Sequence, residues 1–375
     1  MAHVRTASVT RGDVVVLVGT AKGAFLFRST GDDRRTFEVA GPWFQGEPVY
    51  ALAYDGRAGR QRIFAATSSW HWGPNLRASD DFGESWTSPE TTPVRFPEGT
   101  DDLKQIWQIA IGRDTEPDVL YCGVEPAALF RSEDAGVTWS LVEGLFNHPH
   151  RERWEPGGGG LCLHTIVPHA DDPERMLVAI STGGVYRTVD GEATWAPSNQ
   201  GVRAQFLPEE NRYPEFGQCV HKVVAHPSRP DRLFLQNHWG LYRSDDYGTS
   251  WSDIAGDVPS DFGFAMVVHP HDADTVYVVP LESDEFRCTP EAKLRVYRTR
   301  DAGGSWHALS AGLPQANAYE TVLRDAMDTD SCDRAGIYFG TRSGKVFASN
   351  DDGDSWQALA EGLPPVLCVR AARIG

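Results

Sequence analysis

Between residues 218 and 256 the chain alternates short apolar runs with polar turns: "VHKVVAH", "RLFLQN", "LYRSDD" and "SWSDI" follow one another. Runs of this length bounded by turn residues predict four β-strands. The third run leads into a box, Ser244 to Trp251, that recurs. Ser79–Trp86, Ser132–Trp139, Thr299–Trp306 and Ser349–Trp356 carry the same order, Ser/Thr-x-Asp-x-Gly-x-Ser/Thr-Trp. A weaker copy, "TVDGEATW", runs from Thr188 to Trp195 with Glu192 in the place of glycine, and "STGDDRRTF", Ser29 to Phe37, is a degenerate seventh. Successive boxes start about fifty residues apart, the length of one four-stranded propeller blade.

Seven copies predict an all-β, seven-bladed propeller occupying residues 1–375 as one domain. Blade 1 takes residues 13–40 plus 365–373, and blades 2 to 4 take 48–90, 104–144 and 161–198. Blades 5 to 7 take 218–256, 262–310 and 318–362. The first copy lacks an inner strand before "DVVVLVGT", whereas a spare strand, "VLCVRAA", follows the last copy. The C-terminal strand is therefore expected to enter blade 1 and close the ring, which removes the open sheet edges.

Within the box, Asp and Ser oxygens can satisfy turn amides, Gly permits a positive φ, and Trp is a large apolar plate between neighbouring strands. This box resembles the Asp-box, or BNR, repeat of sialidases and related propellers, and the likeness runs through nearly the whole chain. It implies that the boxes sit on the turns between third and fourth strands, on the face away from any active site. It is similar to bacterial single-propeller BNR proteins of glycosyl-hydrolase-like type. Sialidases also carry an Arg-Ile-Pro motif, which does not occur here. The likeness thus implies a sialidase-like fold without the sialidase arginine motif.

Aspartate and glutamate outnumber lysine and arginine 52 to 35, giving a net charge of −17. Such a surface repels phosphate backbones and anionic lipids, so neither nucleic acid nor membrane is an expected partner. The start lacks a secretory apolar core and no apolar run approaches the ~18 residues of a spanning helix, so a cytoplasmic location is expected. Six cysteines without dense spacing fit thiols in a reducing compartment.

The long insertions, 87–105, 145–162, 199–217 and 280–294, all fall on the face opposite the boxes, where long loops on a rigid ring make a binding site. Aligned inner strands bring Tyr50, Gln108, His164, His221, Phe264 and Glu320 to the channel mouth there. The turns between second and third strands add Lys22, His71, Glu125, His238, Glu282 and Arg342.

Cys162 and Cys219 stand two residues before His164 and His221, and alternation along a strand sends i and i+2 to one side. Two readings stand. A transition metal (zinc, iron or copper) is held by His71, His164, His221 and His238, or the pairs are ordinary buried thiols with hydrogen-bonded histidines. Glu125, Glu282, Glu320 and Arg342 are the candidate catalytic groups, since glycosidases work with carboxylates across the scissile bond. The acidic segment "PLESDEFR" reads equally as a solvated loop. Tyr50, Trp72, Gln108 and Trp239 are candidate substrate contacts, with packing between blades as the alternative for the aromatics. The run Gly157 to Gly160 either lets backbone approach a ligand or serves as a hinge. Together these features predict a small-molecule or glycan-directed enzyme of hydrolase or lyase type. The alternative is a non-catalytic propeller that holds a protein partner.

Overall fold

The computed structural model describes residues 6–31, 33–88, 90 and 92–375. Asp32 of the degenerate box, and Pro89 and Thr91 of the first insertion, lie outside the described residues. Seven antiparallel sheets follow one another around a central channel. Among the described residues, α-helix is confined to the turn Glu143–Phe146. Blade 5 shows the repeating order: an inner strand Val220–His226, then Arg229–Asn237, Leu241–Ser244 and a short outer strand Ser252–Asp253. Blade 2 has three strands among the described residues. In place of a fourth, the Thr87 amide donates to the Ala78 carbonyl at 2.9 Å.

The ring closes as expected. Val366–Arg373 pairs antiparallel with Val14–Thr20, from Val14 opposite Arg373 to Thr20 opposite Val366, and supplies the inner strand of blade 1. Both strands are buried along most of their length because each also faces a neighbouring blade. No helix among the described residues is long and apolar enough to cross a membrane.

Each full box folds on itself. Ser79 Oγ donates to Asp81 Oδ1 at 2.7 Å and accepts from the Gly83 amide at 2.8 Å, while Asp81 accepts from the Ser85 amide at 2.9 Å and from the Ser85 hydroxyl. Blades 3, 5, 6 and 7 repeat this network. Two successive residues adopt positive φ, Phe82 at 52° and Gly83 at 89°. A Cβ on Gly83 would lie 2.2 Å from the Trp43 ring. The weaker copy shows what can replace that glycine. Glu192 takes its place at φ 74°, and its carboxylate reaches back one blade to accept from the Tyr121 hydroxyl at 2.9 Å.

Two of the box tryptophans join blades by hydrogen bonds, whereas Trp139 and Trp195 donate within their own boxes. Trp251 Nε1 donates to the Ser198 carbonyl of blade 4, and Trp306 Nε1 to the Ile254 carbonyl of blade 5, both at 2.8 Å. Histidines do the same on the box face. His226 accepts from the Ser228 amide through Nδ1 and donates through Nε2 to the Pro270 carbonyl of blade 6. His169 and His269 cap their own turns in the same manner.

Removal of residues 366–375 takes the inner strand from blade 1, so the truncated chain is expected to lose its cooperative melting transition. An unchanged transition in calorimetry would contradict the closure. Hydrogen bonds from Ser85 and from Thr299 and Ser305 hold Asp81 and Asp301 down at about 2, against an ordinary value of 3.8. A depressed folded-state pKa contributes stability that is present above the unfolded value and lost as pH falls through the folded one. The melting temperature is therefore expected to drop between pH 4 and pH 2 by the values of these two groups. Asp81→Asn with Asp301→Asn should flatten that drop.

Candidate functional site

Topology places the turns between second and third strands, and the long connections between blades, on the face opposite the boxes. The six exposed aromatic side chains among the described residues are all there: Trp70, Trp72, Phe206, Tyr213, Phe286 and Tyr319. Trp70 stands 99% exposed. Trp239 lies half-buried behind Phe206, with ring centroids 5.4 Å apart.

Inside this rim, blades 2 to 7 each send a side chain toward the channel. Tyr50 of blade 2 tilts against Trp107 of blade 3 at 5.7 Å. Trp107 Nε1 donates to Glu125 Oε2 at 3.0 Å, which fixes one carboxylate oxygen, and both oxygens face Gly160. A Cβ on Gly160, which has φ +95°, would stand 2.5 Å from Glu125 Oε1. The glycine run is thus where backbone approaches the Glu125 carboxylate.

His164 and His221 occupy equivalent places yet differ in chemistry. His164 is fully buried with both nitrogens engaged: Nε2 donates to the Val220 carbonyl at 2.9 Å, and Nδ1 meets Thr165 Oγ1 at 3.0 Å. His221 instead donates Nδ1–H to the Gly263 carbonyl at 2.6 Å, which leaves Nε2 to accept from the Cys219 thiol, 3.7 Å from Sγ. Burial first, and then the charge of Arg324, push both histidines well below their ordinary pKa, so both rings are neutral. His238, on the turn of blade 5, lies 5.3 Å from the His221 ring, and its Nε2 bonds Asp284 Oδ2 at 3.1 Å.

Arg324 was not among the residues expected here. The strand-like run around "YETVL" aligned Glu320 with the channel positions, but the inner strand of blade 7 is only Met327–Thr329. Glu320 is instead drawn aside: its carbonyl accepts from the Thr289 amide, and its buried carboxylate pairs with Lys345 Nζ at 2.8 Å and accepts from Ser343. Arg324 takes the channel place. Its guanidinium donates to Cys162 Sγ at 3.6 Å and lies 5.3 Å from the centre of the Trp107 ring. A lone arginine in a loop that reads as strand carries no periodic signal. Only the contacts of Thr321, its hydroxyl donating to the Arg287 carbonyl and its carbonyl accepting from the Arg342 amide, reveal the shift.

The other expected residues fall into two groups. Glu282 and Arg342 are exposed on the rim, and the Arg342 amide donates to Thr321. His71 is exposed in blade 2, with its ring edge 4.6 Å from Trp72, and so stands apart from the histidines of blade 5. Of the four expected metal ligands, only His221 and His238 are brought together with free ring nitrogens. Gln108 is buried deeper, and its Oε1 has no hydrogen-bond partner.

Below the Cys/His layer a charged belt lies across the channel. Asp325 of blade 7 accepts from Lys222 Nζ of blade 5 at 2.7 Å and from Arg370 of blade 1 at 2.8 Å. Burial raises the Asp325 carboxyl, but the two cations outweigh it and hold the group far below the ordinary carboxylate range. Beyond the belt, a cavity of about 460 Å³ faces the box side, walled by inner-strand residues such as Ile109, Val223, Val267 and Met327.

Asp325→Asn would leave Lys222 and Arg370 buried without their counter-charge. It is expected to cost about 3–5 kcal/mol in denaturant unfolding. Replacement of the exposed Glu282 by Gln should leave stability unchanged.

Comparisons with known proteins place the chain among propellers of this kind. The family model for Sortilin, neurotensin receptor 3, matches residues 240–364. A probable oligoxyloglucan-reducing end-specific xyloglucanase of Neosartorya fischeri is 25% identical over 194 residues, which is 51% of this chain and 20% of that protein. A xyloglucanase of Paenibacillus sp. is 26% identical over 280 residues, 69% of this chain and 26% of that protein. The chain thus spans only a fifth to about a quarter of the length of the curated relatives it matches. Among solved structures, YCF48 bound to D1 peptide superposes with a TM-score of 0.52 at 11% identity, covering 95% of this chain and 88% of that one.

Proposed function

With the fold shown to be a seven-bladed BNR-type propeller that resembles glycosyl hydrolases, we propose that the chain is a glycan-directed hydrolase acting at the channel mouth opposite the boxes. The observation that carries this reading is the gathering of all six exposed aromatic side chains on the face that also holds Glu125, Arg324 and His238. Flat apolar rings beside polar and charged groups suit a sugar, which has apolar faces and hydroxyl edges. The two xyloglucanase relatives support a sugar substrate.

In this reading Trp72, Tyr50 and Trp239 stack the sugar. Glu125 exchanges the proton with the glycosidic oxygen, because Trp107 pins one of its oxygens and leaves the other free. His238 is neutral, since burial lowers its pKa against the opposing pull of Asp284. It serves as base toward water on the far side of the mouth, its ring oriented by Asp284. Arg324 steadies negative charge as it develops. The six free cysteines suit a reducing compartment, and we place the activity in the cytoplasm.

The test is hydrolysis of xyloglucan and other β-glucan oligosaccharides, followed by reducing-end release. Glu125→Gln is expected to lower kcat by roughly 10²–10⁴-fold with KM little changed. Trp72→Ala is expected to raise KM at constant kcat. An unaltered kcat in Glu125→Gln would remove Glu125 from the chemistry. A second reading rests on the YCF48 likeness, which covers 95% of this chain and 88% of that one. In it the aromatic rim holds a peptide without catalysis. No turnover on any glycan, with a stoichiometric peptide ligand displaced by Trp72→Ala, would favour it.

A further inference from the structure

Blade 5 carries a group of which the hydrolytic reading uses only His238, as a base while no ion is bound to it. Cys219, His221 and His238 each offer one ligand atom, and these atoms lie within 4.8 Å of one another. We propose that they form a site for a borderline-soft transition-metal ion, zinc(II) foremost.

Four features point to an ion. The first is spacing. With Zn–S near 2.3 Å and Zn–N near 2.0–2.1 Å, a tetrahedral angle puts sulfur and nitrogen about 3.6 Å apart. Cys219 Sγ and His221 Nε2 stand 3.7 Å apart.

The second is the state of the rings. A backbone carbonyl can only accept, so His221 donates Nδ1–H to Gly263 and turns the lone pair of Nε2 toward Cys219. An ionised carboxylate can only accept, so His238 donates Nε2–H to Asp284 and keeps its lone pair on Nδ1. Outer partners that select the tautomer and aim the ring are what metal-binding histidines ordinarily have. His164, in the equivalent place of blade 4, has no free nitrogen and serves only to join blades.

The third is rigidity. Cys219 and His221 are two residues apart at the start of one inner strand, and the His238 amide donates to the Cys219 carbonyl at 2.9 Å. Strand and turn are therefore locked to each other, and the three ligands are held by backbone geometry rather than by flexible loops.

The fourth is access. Cys219 and His238 are only partly buried, at the open mouth, so an ion can enter and the fourth position faces the channel. Water can fill that position, as in zinc sites that keep one place for substrate.

The test is metal binding by the whole chain, read independently of any glycan turnover. Protein purified without chelators is analysed for metal content, then stripped and titrated with zinc(II) and with cobalt(II). One equivalent of zinc per chain is expected, and cobalt is expected to give a thiolate charge-transfer band with the intense visible absorption of a four-coordinate site. Cys219→Ser and His238→Gln should each weaken binding by about tenfold or more, and Cys219→Ser should abolish the charge-transfer band. Cys288→Ser, which alters another thiol of the same face, should change neither. Absence of zinc binding by the folded protein at micromolar concentration would overturn the site, as would a cobalt spectrum unchanged in Cys219→Ser. Because these readouts contain no sugar, a hydrolase without metal and a metal site without hydrolysis remain distinguishable outcomes.

Discussion

The pairing of Val366–Arg373 with Val14–Thr20 is the constraint on which the rest of the molecule depends. Seven blades that each bury one face against the next form a closed core only if the last meets the first. Without that strand, blade 1 would expose an edge, and Arg370 would not reach Asp325. The belt that ties blades 1, 5 and 7 across the channel would then lose one of its two cations. The same closure sets Arg324 of blade 7 opposite Cys162 and Trp107, so a contact at the chain terminus determines the geometry of a mouth built from the middle of the sequence.

The two faces of the ring are built by different physics. On the box face, polar side chains satisfy their own turn: Asp, Ser and Thr oxygens take up the amides, and histidines cap a turn and reach one blade onward. Little is left over to engage a ligand. On the other face the turns are released from that duty, the connections are long, and side chains of several blades converge, some of them held by a neighbour in their own blade, as Trp107 holds Glu125. Neutral histidines, a pinned carboxylate and a guanidinium close together are groups that a ligand, an ion or water can complete.

Most of the fold was legible in the sequence because the boxes are local. Each box makes its hydrogen bonds within eight residues, so pattern, register and blade count could all be read from spacing, and the spare strand after the last copy announced the closure. The mouth was legible only in outline. Placing Glu125, His221, His238 and Trp239 on one face needed no more than blade topology. Distinguishing His164 from His221 required knowing which ring nitrogen meets the next blade, and that is decided by side-chain rotamers, since a pairing bulge falls at both residues. Blade 7 misled for a different reason. Its inner strand is three residues long, and the alternating residues before it pair with the insertion of blade 6 rather than with their own sheet.

The belt of Lys222, Asp325 and Arg370 has a topological consequence for what the mouth can admit. An uninterrupted propeller axis is a tunnel, through which a polymer can be threaded and drawn along. Here three charged side chains from blades 5, 7 and 1 meet inside the ring, so a molecule threaded along the axis would have to part the two ion pairs that hold those blades together.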